Sequence, residues 1–242
     1  STDPDTVDYL AALPQQGGRY PIRVIPSPGE FQWAQVANTG AAAAGGDYLL
    51  FLDNDIHIVQ EDWLDRLMAL AQRPEIGITS PRLTYPGSGK VQDTGTLLGL
   101  RGTAGSAWNN DTEIDDPGYM GRALCDQNLS AANGSAMLVR RSVFEALQGF
   151  DAERFPLIHG ALDLCLRASE LGYKTVWTPY STLVHYGSVS FLARQRKPEG
   201  RLAALQAGQV YERRVSPMDY SSQARNLDVL TGILQNARKV TK

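Results

Sequence analysis

The chain has 242 residues, 43% apolar and 20% charged, which excludes a disordered polymer and suffices for one α/β unit that folds without disulfides. Its 23 basic and 26 acidic residues leave a net charge of −3, a balance that argues against a dedicated nucleic-acid binder. The longest apolar run, Tyr48 to Leu52, is too short to cross a bilayer, and Cys125 and Cys165 make neither a disulfide framework nor a zinc spacing. A reducing, cytoplasmic setting is the expectation.

In chain order, Ser1 to Asp5 reads as a loop entering a helix, with Asp3 or Thr6 as its cap and no secretory leader. Residues 22–25 (Ile-Arg-Val-Ile) read as a strand. Residues 31–44 read as a helix that stops at Gly45-Gly46. Asp47 to Leu52 is apolar enough to predict a strand of parallel type, buried on both faces. Residues 61–73 predict a helix with Trp63, Leu67, Leu70 and Ala71 on one face and Pro74 as its stop. Short strands and a turn at Pro86 to Gly89 follow over 76–100, and 101–128 reads as a long functional loop. Ser135 to Arg140 predicts a strand, with Ser142 and Glu145 as a capping box for a short helix closed by Gly149. Leu162 to Leu171 predicts a helix, Lys174 to Trp177 and Thr182 to His185 two final strands, and 199–242 polar helices. Alternating strands and helices of this kind predict an α/β fold. The tryptophans at 33, 63 and 177 lie on apolar faces and read as core.

The sharpest chemical feature is Asp53-Asn54-Asp55, set directly after the apolar run. Two carboxylates at the carboxyl end of a sheet strand suit Mg2+ or Mn2+, which take hard oxygen ligands together with substrate phosphates. A turn whose Asp and Asn side chains cap backbone amides stands beside that reading. A calcium loop would need an oxygen ligand and then a glycine where His57 and Ile58 stand, and an aspartyl phosphatase a small hydroxyl residue at His57.

The surroundings carry more. Ala37-Asn38-Thr39-Gly40, the alanine run, Gly45 and the strand ending in Asp53-Asn54-Asp55 come first. Then come Val91-Gln92-Asp93-Thr94-Gly95, Asn133-Gly134-Ser135, Gly149-Phe150-Asp151, Asp163-Leu164-Cys165-Leu166-Arg167 and His185-Tyr186-Gly187. In this order they resemble the family 2 glycosyltransferases over about residues 1–190, and within them the bacterial rhamnosyltransferase-like branch that builds surface polysaccharide.

The resemblance implies a GT-A fold: a Rossmann-like, mixed and mostly parallel sheet flanked by helices over 1–190, with 191–242 as a helical extension packed on it. A partner chain or a membrane surface is the alternative contact of that extension. It implies a metal-dependent, inverting transfer of sugar from a UDP- or dTDP-sugar to a glycan or lipid-linked acceptor, at the inner face of the membrane. Asp53, Asp55 and His185 would hold Mn2+ or Mg2+. Asn38, Gly40, Asp53 and Asn54 would line the donor side, and Trp108, Asn133 and Gly134 the acceptor side. Two features depart from the family pattern. The family's first nucleotide-binding strands are represented only by Ser1-Thr2-Asp3. The family's basic carboxylate falls at Ala161, which leaves Asp163 as the neighbouring acidic group, with Asp151 and His159 away from the family position. A catalytically inactive domain of this fold that binds glycan or a partner protein is therefore the second expectation.

Overall fold

The computed structural model describes residues 3–18, 20–98, 104–106 and 112–187. Trp108 and the proposed extension over 191–242 fall outside them. The chain divides into two compact units, Ser1–Gln32 and Trp33–Lys242.

In the first unit, α1 spans Pro4–Ala12, with the Asp3 side chain accepting from the Thr6 backbone amide at 2.9 Å and proline in the first turn. A 3-10 turn, Leu13–Gln15, follows. Residues 22–25 form no strand: Ile22, Val24 and Ile25 are exposed, and no described strand pairs with them. Local β propensity without a paired ladder does not make a strand.

The second unit is built on one sheet. Its elements are α2 (Trp33–Ala43), β1 (Tyr48–Leu52), β2 (Ile56–Ile58), α3 (Trp63–Ala71), β3 (Ile76–Thr84), β4 (Val91–Asp93), β5 (Thr96–Leu98), β6 (Ala104–Ser106), β7 (Gln127–Leu129), β8 (Ala136–Arg140), α4 (Arg141–Ala146), α5 (Gly160–Glu170) and β9 (Lys174–His185). Among the described residues the order is β1-β8-β3-β9-β2, with β4 added to β3, β7 added to β9, and β5 and β6 as a separate hairpin. The sheet is mixed, as expected, but its proportions differ from expectation: only β3 and β9 run parallel, and the other pairings are antiparallel.

The period of two along β8 explains the layers. Met137 and Val139 join the core formed with α2, α4 and α5, through Ala34, Val143, Phe144, Leu164 and Cys165. Ala136 and Leu138 join a second core under α3, with Trp63, Leu67 and Ala71. The helical face expected for α3 is the one that is buried. Burial pushes the Cys165 thiol up to about 11, as its place in the first core demands.

Four local expectations change. β1 pairs antiparallel with β8 at the end of the sheet, so Leu50 and Leu52 stay exposed rather than buried on both faces. The capping box is absent. Arg140 is extended and β8 runs straight into α4 one residue before Ser142, the Arg141 amide donates to Asp47 O at 2.9 Å, and Glu145 pairs with Arg141. The region 101–128 is not all loop, because β6, a 3-10 segment at Tyr119–Leu124 and β7 interrupt it. Three-residue strands are too short for periodicity to reveal. The two final strands are one, β9, which absorbs residues 179–181 in a register shift opposite Pro81/Arg82.

Leu67 has no exposed surface, whereas Leu64 on the same helix is exposed. Leu67→Ala is expected to cost about 2–5 kcal/mol and Leu64→Ala under about 0.5 kcal/mol, read as urea unfolding midpoints at equal slope.

Candidate active site

Asp53 leaves the carboxyl end of β1, and its amide donates to Ser135 O at 2.9 Å just before β8 begins. The chain then turns through exposed Asn54 to Asp55 and enters β2. Antiparallel pairing sets Ile56 opposite His185 at the end of β9, and the Tyr186 amide donates to Asp55 O at 3.1 Å. These contacts bring the three side chains together. Asp53, Asp55 and His185 each offer one ligand atom, all within 4.8 Å of one another. His185 Nε2 lies 3.3 Å from Asp55 Oδ1. The imidazole is buried, and among the described residues its Nε2 has no hydrogen-bond partner.

A buried imidazole nitrogen without a partner is costly, and a cation resolves that cost. Two carboxylate oxygens and one imidazole nitrogen suit Mn2+, and Mg2+ through the carboxylates. The donor set therefore fits a divalent ion.

Three groups surround this cluster. Trp33 Nε1 donates to Asp53 Oδ1 at 3.2 Å, while its ring meets Phe150 edge-on at a centroid distance of 4.9 Å. Trp33 was expected to be core like Trp63 and Trp177. It packs, partly buried, against the first core, and its indole N–H also engages Asp53. No spacing in the sequence announces a contact across 20 residues. Gly134 lies under this indole: a Cβ there would meet Trp33 Cη2 and Cζ2 at 3.2 Å and Ala161 Cβ at 3.1 Å. The missing side chain thus makes room for Trp33. Asn133 accepts from the Ser135 amide at 2.9 Å and donates through its own amide to Asp93, so it ties β8 to the end of β4. Burial pushes the Asp93 carboxyl above the ordinary carboxylate range, against the Gly95 and Asn133 donors and the charge of His185.

Other expected residues have different tasks. Asn38 clamps the backbone of Phe150, donating to its carbonyl at 2.8 Å and accepting from its amide at 2.9 Å. This fastens α2 to the loop after α4. Gly40 has open space where a Cβ would stand, so nothing there calls for glycine. Asp163 is fully buried and pairs with Arg167 at 2.7 Å, whose guanidinium also donates to Leu147 O and Gly149 O. That network pins α5 to the exit of α4. Asp151 accepts from the Arg154 amide at 3.0 Å and is likewise structural. Ala161 sits in the first turn of α5 against Gly134 and carries no proton acceptor. His57 is exposed and stacks on Tyr186, and burial holds the His159 imidazole below its ordinary value.

The model of the family described as "Glycosyl transferase family 2" matches residues 1–148. The chain belongs to this family. It is 36% identical over 160 residues to the O-antigen biosynthesis protein RfbC of Myxococcus xanthus, covering 66% of the chain and 12% of that protein. It is 29% identical over 226 residues to the uncharacterized protein y4gI of Sinorhizobium fredii, covering 93% of the chain and 24% of that protein. The chain thus spans about a quarter or less of the length of these curated relatives. Among solved structures it is similar to GalNAc-T7, crystallised with UDP, GalNAc and Mn2+, at a TM-score of 0.53 and 17% identity, covering 75% of the chain and 35% of that one. At this identity the likeness establishes the GT-A fold. Among the described residues no helix is long and apolar enough to cross a membrane.

Two outcomes follow from Asp163 and Asp93. Asp163→Ala strands the Arg167 guanidinium and is expected to cost about 3–5 kcal/mol, seen as a lower urea midpoint. Because the folded pKa of Asp93 is raised, its contribution to stability is lost as pH rises from 3.8 through that raised value. Asp93→Asn lacks this slope, so in metal-free buffer the stability difference, wild type minus variant, should decline over that interval. Paired unfolding curves across it provide the measurement.

Proposed function

We propose that this chain binds a nucleotide-diphosphate sugar through Mn2+ or Mg2+ held by Asp53, Asp55 and His185. It then transfers the sugar, with inversion, to a glycan or lipid-linked acceptor during surface polysaccharide synthesis. The observation that carries the proposal is the convergence of the two carboxylates on a buried, unpartnered imidazole nitrogen at the end of the sheet. Family membership and the likeness to an O-antigen biosynthesis protein support the sugar chemistry.

Bound there, the ion supplies Lewis-acid neutralisation of the diphosphate leaving group. The chain's own contribution is orientation. Trp33 holds one Asp53 oxygen, the Ser135 carbonyl fixes the Asp53 backbone, and the β2–β9 ladder sets Asp55 against His185. Gly134 and Trp33 shape the wall beside the two acids. The test is a calorimetric titration of Mn2+ in the presence of UDP, the nucleotide named with the GalNAc-T7 structure. Saturable binding is expected in the wild type, with loss in Asp55→Ala. Equal binding by that variant would remove the metal assignment.

Ala161 favours a second reading, a domain that holds donor or glycan without transferring sugar, because the position matched to the family's base carries only a methyl group. A positioned base contributes about 100-fold or more to such a step. Ala161→Asp is therefore expected to raise UDP-sugar turnover by that order if the chain is a transferase short of its base. Unchanged turnover with intact Mn2+ and UDP binding carries the second reading.

A further inference from the structure

We infer that Gln92 is the positioning residue that presents His185 Nε2 to the cation, by locking the imidazole in its Nδ1–H tautomer; this rests on the metal reading above.

Three observations converge on it. First, the antiparallel register of β3 and β4 shifts by one: Leu83 pairs with Asp93 but Thr84 with Val91. Gln92 is the extra residue of that bulge. Bulges re-aim side chains next to functional sites, and here the side chain reaches the end of β9. Second, Gln92 meets His185 at two points. Its Nε2 donates to the His185 backbone carbonyl at 3.3 Å, and its Oε1 lies 2.7 Å from His185 Nδ1. A carbonyl can only accept, so the first contact decides which end of the carboxamide faces which atom. Oε1 therefore faces the ring, and Nδ1 must carry the proton. Third, the neutral ring then has its lone pair on Nε2, the buried atom without a hydrogen-bond partner that points at Asp55. A ligating histidine ordinarily has its other ring nitrogen held by such an acceptor, and loss of that acceptor weakens metal affinity about 10–100-fold.

The chain has three histidines, which makes the ring nitrogens separable by 15N NMR. In metal-free wild type, His185 is expected as the Nδ1–H tautomer. Gln92→Glu, which keeps the acceptor and loses the amide donor, should preserve that tautomer. Gln92→Leu, close in size, should populate Nε2–H. In Mn2+ titrations with UDP, Gln92→Leu should bind about 10–100-fold more weakly and Gln92→Glu should recover the affinity. A residue that merely packs would shift the melting temperature of both variants and leave the tautomer alone. An Nε2–H signal for wild-type His185 overturns the inference, as does a Gln92→Leu variant with wild-type tautomer and affinity. Should the wild type bind no Mn2+, the metal reading fails, while the metal-free spectrum still decides the role of Gln92.

Discussion

The pairing of Ile56 with His185 across β2 and β9 is the constraint on which the site depends. A three-residue strand is a weak element alone, yet this one places Asp55 one residue before its ladder begins and His185 at the end of the opposing strand. A slip of one residue would send His185 to the other face of the sheet, since side chains alternate with a period of two. The hydrogen bond from the Tyr186 amide to Asp55 O extends the pairing beyond the strand and pins the turn. Asp53 is fixed independently, by its amide on Ser135 O beside the β1–β8 ladder. The cluster is therefore held from two sheet pairings that meet at a tight turn, rather than from one flexible loop.

The acidic end of β1 would repel itself without compensation. Part of that compensation is built into the chain: the Trp33 indole donates to Asp53. Small residues make that contact feasible. Gly134 leaves space for the indole, and Ala161 completes the same wall. The methyl group at 161 thus has a packing partner as well as a chemical consequence.

Much of the fold was legible in the sequence for simple reasons. The face of α3 through Trp63, Leu67, Leu70 and Ala71 follows from helical periodicity, and its burial confirms it. The short apolar runs that became β1, β8 and β9 stand out because buried strands need them. The strand at 22–25 did not form, because β propensity describes a residue and not a partner. The supposed capping box at Ser142 and Glu145 failed because β8 leads directly into α4, which begins one residue earlier with the Arg141 amide bonded to the Asp47 carbonyl. The short strand β7 and the bulge at Gln92 are long-range features: each exists only through its neighbour in the sheet.

What the sequence by itself determined is the chemical vocabulary: two acids bracketing Asn54 after an apolar strand, a histidine 130 positions beyond the second, and the order of motifs that places the chain in its family. What only the tertiary structure decided is the assignment of tasks. Asp163 and Asn38 sit in motifs that suggested chemistry, yet one balances Arg167 in the core and the other clamps Phe150. Trp33 read only as core and Gln92 only as part of a motif, yet they touch Asp53 and His185. The physical reason is that a side chain's role depends on which polar atoms remain unsatisfied around it once the sheet has closed, and those atoms come from segments whose distance along the chain carries no information about their distance in space.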